Sequence, residues 1–136
     1  RFTRCHVWGG PRPALTEGGE REVLIDSICM KICAGGAVLR DCYADTAKIG
    51  FHIGAYTRLL GCSYFNNYRA FKLDDLVAIK HVGGKLLVSE CAFTKTNPKA
   101  MVYASETTDP AVWSNNIYHG FAEGELPVAE RNSSLI

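Results

Sequence analysis

No apolar run in this 136-residue chain approaches the roughly 20 residues that a membrane-spanning helix needs. Stretches such as Val23-Leu24-Ile25 and Leu86-Leu87-Val88 are far shorter, so no membrane crossing is expected. Charge of one sign is also missing. Fifteen Lys and Arg stand against 14 Asp and Glu, scattered for a formal net charge of +1, which leaves no basic stripe to neutralise phosphates. Nucleic acid is therefore not expected as a partner. There is no Cys-x2-Cys pair, and the four His residues are dispersed rather than set at ligand spacing, so no metal site is expected either. Neither an internal repeat nor a low-complexity segment is read. What the chain does have is 47% hydrophobic residues, enough for one buried core in a single domain.

Six cysteines (Cys5, Cys29, Cys33, Cys42, Cys62, Cys91) permit a disulfide framework with about 15 full pairings. Cys29 and Cys33 lie one turn apart on an expected helix amid Ile28, Met30 and Ile32, where thiols act as small hydrophobes. Mostly free, packed cysteines are the expectation, and they fit a cytoplasmic location. Secretion stays open, because Asn132-Ser133-Ser134 would then be a glycosylation acceptor.

Along the chain, Gly9-Gly10-Pro11-Arg12-Pro13 and Gly18-Gly19 mark residues 1–19 as an extended arm. Val23, Ile25, Ile28, Cys29, Ile32 and Cys33 follow at helical spacing, with Glu20 and Glu22 in the first turn, so a helix is expected over 20–34. A shorter helix is expected over 37–43. Residues 48–60 read as a strand pair or a strand bent at Gly54, and Ser63 as the cap of a third helix over 63–71. Two strand-like segments, 76–82 and 85–93, flank Gly83-Gly84 as a hairpin, and 100–105 and 112–121 supply further strands. Helices followed by a meander form an α+β pattern over 20–122, with 123–136 as a C-terminal tail.

The segment Tyr43-Ala44-Asp45-Thr46-Ala47-Lys48-Ile49, with Gly54 beyond it, resembles the entry into the curved sheet of the NTF2-like superfamily. The order Val82-Gly83-Gly84-Lys85, Met101 to Glu106, then Trp113-Ser114-Asn115-Asn116-Ile117-Tyr118-His119-Gly120 is similar to its SnoaL-like and lumazine-binding-like branches. The resemblance implies an NTF2-like cone, N-terminal helices packed on a curved antiparallel sheet. Phe51 stands where ketosteroid isomerases of that superfamily carry their catalytic Asp. A phenyl ring accepts no proton, so steroid isomerisation by that route is not expected.

Within such a cone, burial shifts pKa values and makes a carboxylate or imidazole useful as a base. The resemblance makes Asp26, His52 and His119 the candidate catalytic residues. Against this, strand alternation turns His52 away from a pocket that Phe51 faces, Asp26 fits a solvated salt-linked face, and His119 fits a solvent-facing edge. Phe51, Tyr56, Tyr68, Tyr103 and Trp113 are the candidate substrate-binding residues, the tyrosines as hydroxyl donors to a ligand carbonyl. The expectation is a homodimeric pocket protein for a hydrophobic, cyclic small molecule. It would be a cofactor-independent isomerase, dehydratase or cyclase working by acid/base chemistry. The alternative is a non-catalytic ligand-binding or dimerisation module, secreted and disulfide-bonded in one version.

Overall fold

The computed structural model describes residues 1–8, 28–65, 76–95, 98–128 and 130–136 in full, and the backbone alone of 12–15 and 21–24. The chain opens with β1 (Phe2–Thr3), β2 (His6–Trp8) and an antiparallel pair, β3 (Arg12–Leu15) with β4 (Arg21–Leu24). It then coils. The first coil is β5 (Ile28–Ile32), β6 (Ala37–Arg40) and β7 (Tyr43–Asp45), and the second is β8 (Ile49–Ile53), β9 (Thr57–Leu60) and β10 (Ser63–Phe65). The third is β11 (Val77–His81), β12 (Leu86–Ser89) and β13 (Ala92–Thr94), and the fourth is β14 (Met101–Ser105), β15 (Ala111–Ser114) and β16 (Ile117–His119). A 3-10 turn (Glu123–Glu125), β17 (Glu130–Arg131) and β18 (Ser134–Leu135) complete the described elements.

Each strand pairs with its counterpart one coil away, always in parallel, apart from β3 and β4. Three sheets result. The first runs β1-β6-β9-β12-β15-β17, the second β2-β7-β10-β13-β16-β18, and the third β5-β8-β11-β14. Parallel strands need a long crossover between them, and here the other two strands of the coil supply it. The architecture is a parallel β-solenoid, stacked so that each coil contacts mainly its neighbours.

In-register pairing places like residues in columns that run along the solenoid interior. Leu39, Leu59, Val88 and Trp113 form the first sheet's inner column. Ala44, Tyr64, Phe93 and Tyr118 form the second's, and Phe51 and Ile79 lie in the third's. Burial of each Leu-sized side chain stabilises the coil stack by about 1.5–3 kcal/mol. The Phe93 and Tyr118 rings stack with centroids 5.5 Å apart, extending the column through aromatic contact. Gly50 leaves room for this packing, because a Cβ there would sit 2.6 Å from the Tyr64 ring and 2.7 Å from the Ala78 carbonyl oxygen.

The corner between first and second sheets has the same form on every coil. Its first residue is left-handed: Arg4 (φ 55°), Asp41 (53°), Gly61 (63°), Glu90 (56°), Asn115 (56°) and Asn132 (55°). Its second turns inward at Cys42, Cys62, Cys91 and Asn116. Each of these side chains donates to a carbonyl on the preceding coil: Cys42 to Phe2 (3.7 Å), Cys62 to Leu39 (3.4 Å), Cys91 to Leu59 (3.5 Å) and Asn116 to Val88 (3.3 Å). Buried carbonyls at a corner thereby keep a donor. Beyond Asn116 the column is closed by Glu130, whose Oε2 accepts from Asn116 Nδ2 (2.9 Å) and from the Tyr118 hydroxyl.

The α+β cone, and with it the NTF2-like resemblance, is overturned. Among the described residues the 3-10 turn is the only helical element, and the large sheets are parallel rather than one curved antiparallel sheet. Residues 28–32 of the expected first helix form β5, and 37–43 are β6, a corner and the start of β7. The reason lies in the corners. Leu39 and Cys42 are three apart and both buried, as on a helix face, because the left-handed Asp41 turns the chain inward between them. Residues 63–65 of the expected third helix are β10, and the rest of it lies outside the described residues. The expected hairpin is two real strands, β11 and β12, in different sheets, with Gly83-Gly84 as a corner. At Gly84 (φ +76°) a Cβ would fall 2.3 Å from the Ala55 carbonyl carbon. No helix among the described residues is long and apolar enough to cross a membrane.

Candidate functional site

Two columns run side by side on the outer face of the third sheet. One is apolar: Ile28, Ile49, Val77 and Met101 stand in register on β5, β8, β11 and β14. The other is basic: Lys31, His52 and Lys80 stand in register, followed by Ala104. Neighbouring members of a column are about 4.8 Å apart along the sheet. An open groove of about 370 Å³ lies over this face, floored by the apolar column, with Lys48, Lys80 and Glu106 at its edges. Lys80 Nζ is 2.8 Å from Glu106 Oε1, so Lys31 and Lys48 leave the face with a surplus of positive charge.

His52 is the chemically distinctive member. Its Nδ1 is buried and has no hydrogen-bond partner, whereas buried polar atoms are nearly always paired. Burial, then the ammonium groups of Lys31 and Lys80, push its pKa below the ordinary 6.5. A neutral imidazole therefore lies between two fixed cations at neutral pH. An anion laid across the column would favour the protonated ring, which couples ligand binding to proton uptake.

The structure places the sequence-derived candidates apart. His52 is on the third sheet, whereas His119 is exposed on the second; Asp26 and Tyr68 lie outside the described residues. Phe51 is fully buried in the core. Tyr56 is exposed and accepts from Arg58 Nε at 3.0 Å. Tyr103 and Trp113 do meet, edge to face with centroids 5.1 Å apart, beside a second cavity of about 410 Å³ bordered by Leu126, Pro127 and Val128. The Tyr103 hydroxyl is committed inward. His81 Nε2 donates to the Gly84 carbonyl (2.5 Å), leaving Nδ1 to accept from Tyr103 (2.8 Å).

Lys31, Lys48 and Lys80 are the residues that sequence reasoning missed. A signal was present: Met30-Lys31-Ile32, Phe51-His52-Ile53 and Ile79-Lys80-His81 repeat one order, a basic residue between two inward-facing ones. Among the described residues no group of three or more His, Cys, Asp and Glu side chains converges as a metal site. In comparisons with protein-family models, curated proteins and solved structures, the chain matches none.

Proposed function

We propose that this protein is a ligand-binding solenoid whose third-sheet face takes a small amphipathic anion. The apolar body lies on Ile28, Ile49, Val77 and Met101, and the acidic head lies across Lys31, His52 and Lys80. The observation that carries this reading is the register itself, which sets a basic column beside an apolar one and leaves His52 Nδ1 unpaired between two lysines. A rigid parallel sheet holds these groups at fixed spacing, so little ordering cost is paid on binding. It keeps the hydrophobic small molecule expected from the sequence and adds an acid group to it.

The test is titration with 8-anilinonaphthalene-1-sulfonate, an aromatic body bearing one sulfonate, followed by fluorescence and by amide chemical shifts. Saturable binding with shifts confined to β5, β8, β11 and β14 is expected. The Lys31→Met/Lys80→Met double variant is expected to bind about tenfold more weakly, the loss of about 1.4 kcal/mol of charge attraction. Unchanged affinity in that variant, or shifts centred on Leu126 to Val128, would overturn the reading. Acid/base catalysis is a second reading favoured by one observation, the neutral unpaired His52, which would serve as base. It requires a turnover that His52→Gln abolishes while probe binding persists.

A further inference from the structure

The interior corner column carries four thiols in succession, Cys5, Cys42, Cys62 and Cys91, one per coil, and all are free. Their side chains interact along the column, Cys42 with Cys5 and with Cys62, and Cys62 with Cys91. The outer pair is reachable. Cys5 lines a cavity of about 250 Å³ where β1 and β2 run beyond the third sheet, together with Phe2, Val7, Cys29, Met30 and Leu39. Two further soft donors, the Cys29 thiol and the Met30 thioether, thus border the same opening.

We propose that Cys5 and Cys42 form a two-coordinate thiolate site for a soft monovalent cation of the copper(I) class, entered through this cavity. Soft thiolate ligands favour such ions over calcium, and a pair of them suits two-coordinate copper(I) better than zinc, which takes four ligands. Parallel register stacks equivalent positions of neighbouring coils about 4.8 Å apart, a spacing that one ion can bridge through two sulfurs. With no third His, Cys, Asp or Glu ligand converging among the described residues, low coordination is what the pair offers. On binding, two S–H bonds break, two metal–sulfur bonds form and two protons pass to solvent. No oxidation state changes. Because two protons are released, binding strengthens as pH rises.

The experiment is an anaerobic titration of the reduced protein with copper(I), supplied as its acetonitrile complex, against a chromophoric copper(I) chelator. One copper retained per chain is expected, with a thiolate-to-copper band in the near ultraviolet. Retention is expected to fall at least tenfold in Cys5→Ser and to persist in Cys33→Ser, whose thiol is exposed and outside the column. In the unaltered protein, bound copper is expected to shield Cys5 from iodoacetamide while Cys33 is alkylated, a readout that needs no variant. Copper retained by Cys5→Ser, copper lost only in Cys33→Ser, alkylation of Cys5 despite bound copper, or no copper retained would each overturn the site.

Discussion

Two of the three corners of each coil in this solenoid behave in opposite ways. Between first and second sheets, every coil spends two residues on the turn: Arg4-Cys5, Asp41-Cys42, Gly61-Cys62, Glu90-Cys91, Asn115-Asn116 and Asn132-Ser133. Between second and third sheets the connection varies, from Thr46-Ala47-Lys48 after β7 to the much longer stretch after β10. Each copy of the invariant corner carries a left-handed residue, and at Cys42, Cys62, Cys91 and Asn116 an inward donor caps a carbonyl on the preceding coil. One extra residue there would misplace everything after it. The variable corner has bonds of its own, as where Thr46 N–H donates to the Phe65 carbonyl and the Tyr64 hydroxyl to the Ala47 carbonyl, but its length changes from coil to coil, and it borders the face with the basic column. Register is set at one edge of the coil, and chemistry is displayed beyond the other.

The largest test of that contrast is insertion. One Gly between Glu90 and Cys91 would flip β13 and rotate Phe93 out of the core, and is expected to cost more than about 4 kcal/mol or abolish folding. The same insertion between Pro98 and Lys99, in the exposed turn between β13 and β14, is expected to cost under about 1 kcal/mol. Urea denaturation midpoints separate the two. Next in size is the inner column. Leu59→Ala is expected to lose about 2–5 kcal/mol, whereas Leu87→Ala on the outer side of the same sheet is expected to lose under about 1 kcal/mol.

How far the sequence betrayed this organisation depends on the element. Strands β8, β9, β11, β12, β14 and β16, and β15 apart from Ala111, lie within segments read as strand-like, because β-branched and aromatic residues concentrate there. Pairing was not legible, since parallel partners sit a whole coil apart and nothing local specifies them. Yet the corner has a fingerprint: Phe2-Thr3-Arg4-Cys5-His6-Val7, Leu39-Arg40-Asp41-Cys42-Tyr43-Ala44, Leu59-Leu60-Gly61-Cys62-Ser63-Tyr64 and Val88-Ser89-Glu90-Cys91-Ala92-Phe93 share one pattern. Trp113-Ser114-Asn115-Asn116-Ile117-Tyr118 repeats it with Asn for Cys. The intervals between these copies are all unequal, owing to the variable corners, and a search for a fixed period passes over them. The cysteines were expected to be mostly free and packed, Cys29 and Cys33 on a helix; Cys33 is instead exposed, and the alignment of Cys5, Cys42, Cys62 and Cys91 depends on that hidden register. For the site, His52 was singled out and its turn away from Phe51 anticipated. Its lysine neighbours are adjacent only through strand pairing.

Smaller effects sharpen the comparison. Glu90 holds φ +56°, a conformation costly for a residue with a long side chain, so Glu90→Asn is expected to stabilise by about 0.5–1 kcal/mol in thermal unfolding. A loss of stability there would remove the left-handed corner from the account. On the opposite edge, His52 has a lowered pKa, so the unfolded chain binds its proton more readily than the folded one. Its contribution is complete above the ordinary value of 6.5 and declines as pH falls toward the lowered folded value. His52→Leu is expected to flatten stability against pH in that window, and an unchanged slope would place the imidazole in open solvent.

The most direct measurement follows the His52 imidazole Cε1 proton by NMR as pH is varied, with and without saturating 8-anilinonaphthalene-1-sulfonate. A pKa below 6.5 in the free protein that moves upward on binding is the expected result, because burial and then Lys31 and Lys80, which flank the ring only in the parallel register, disfavour the protonated ring until an anion is bound. A His52 that titrates at or above 6.5 and ignores the anion would contradict both the stacking and the binding face.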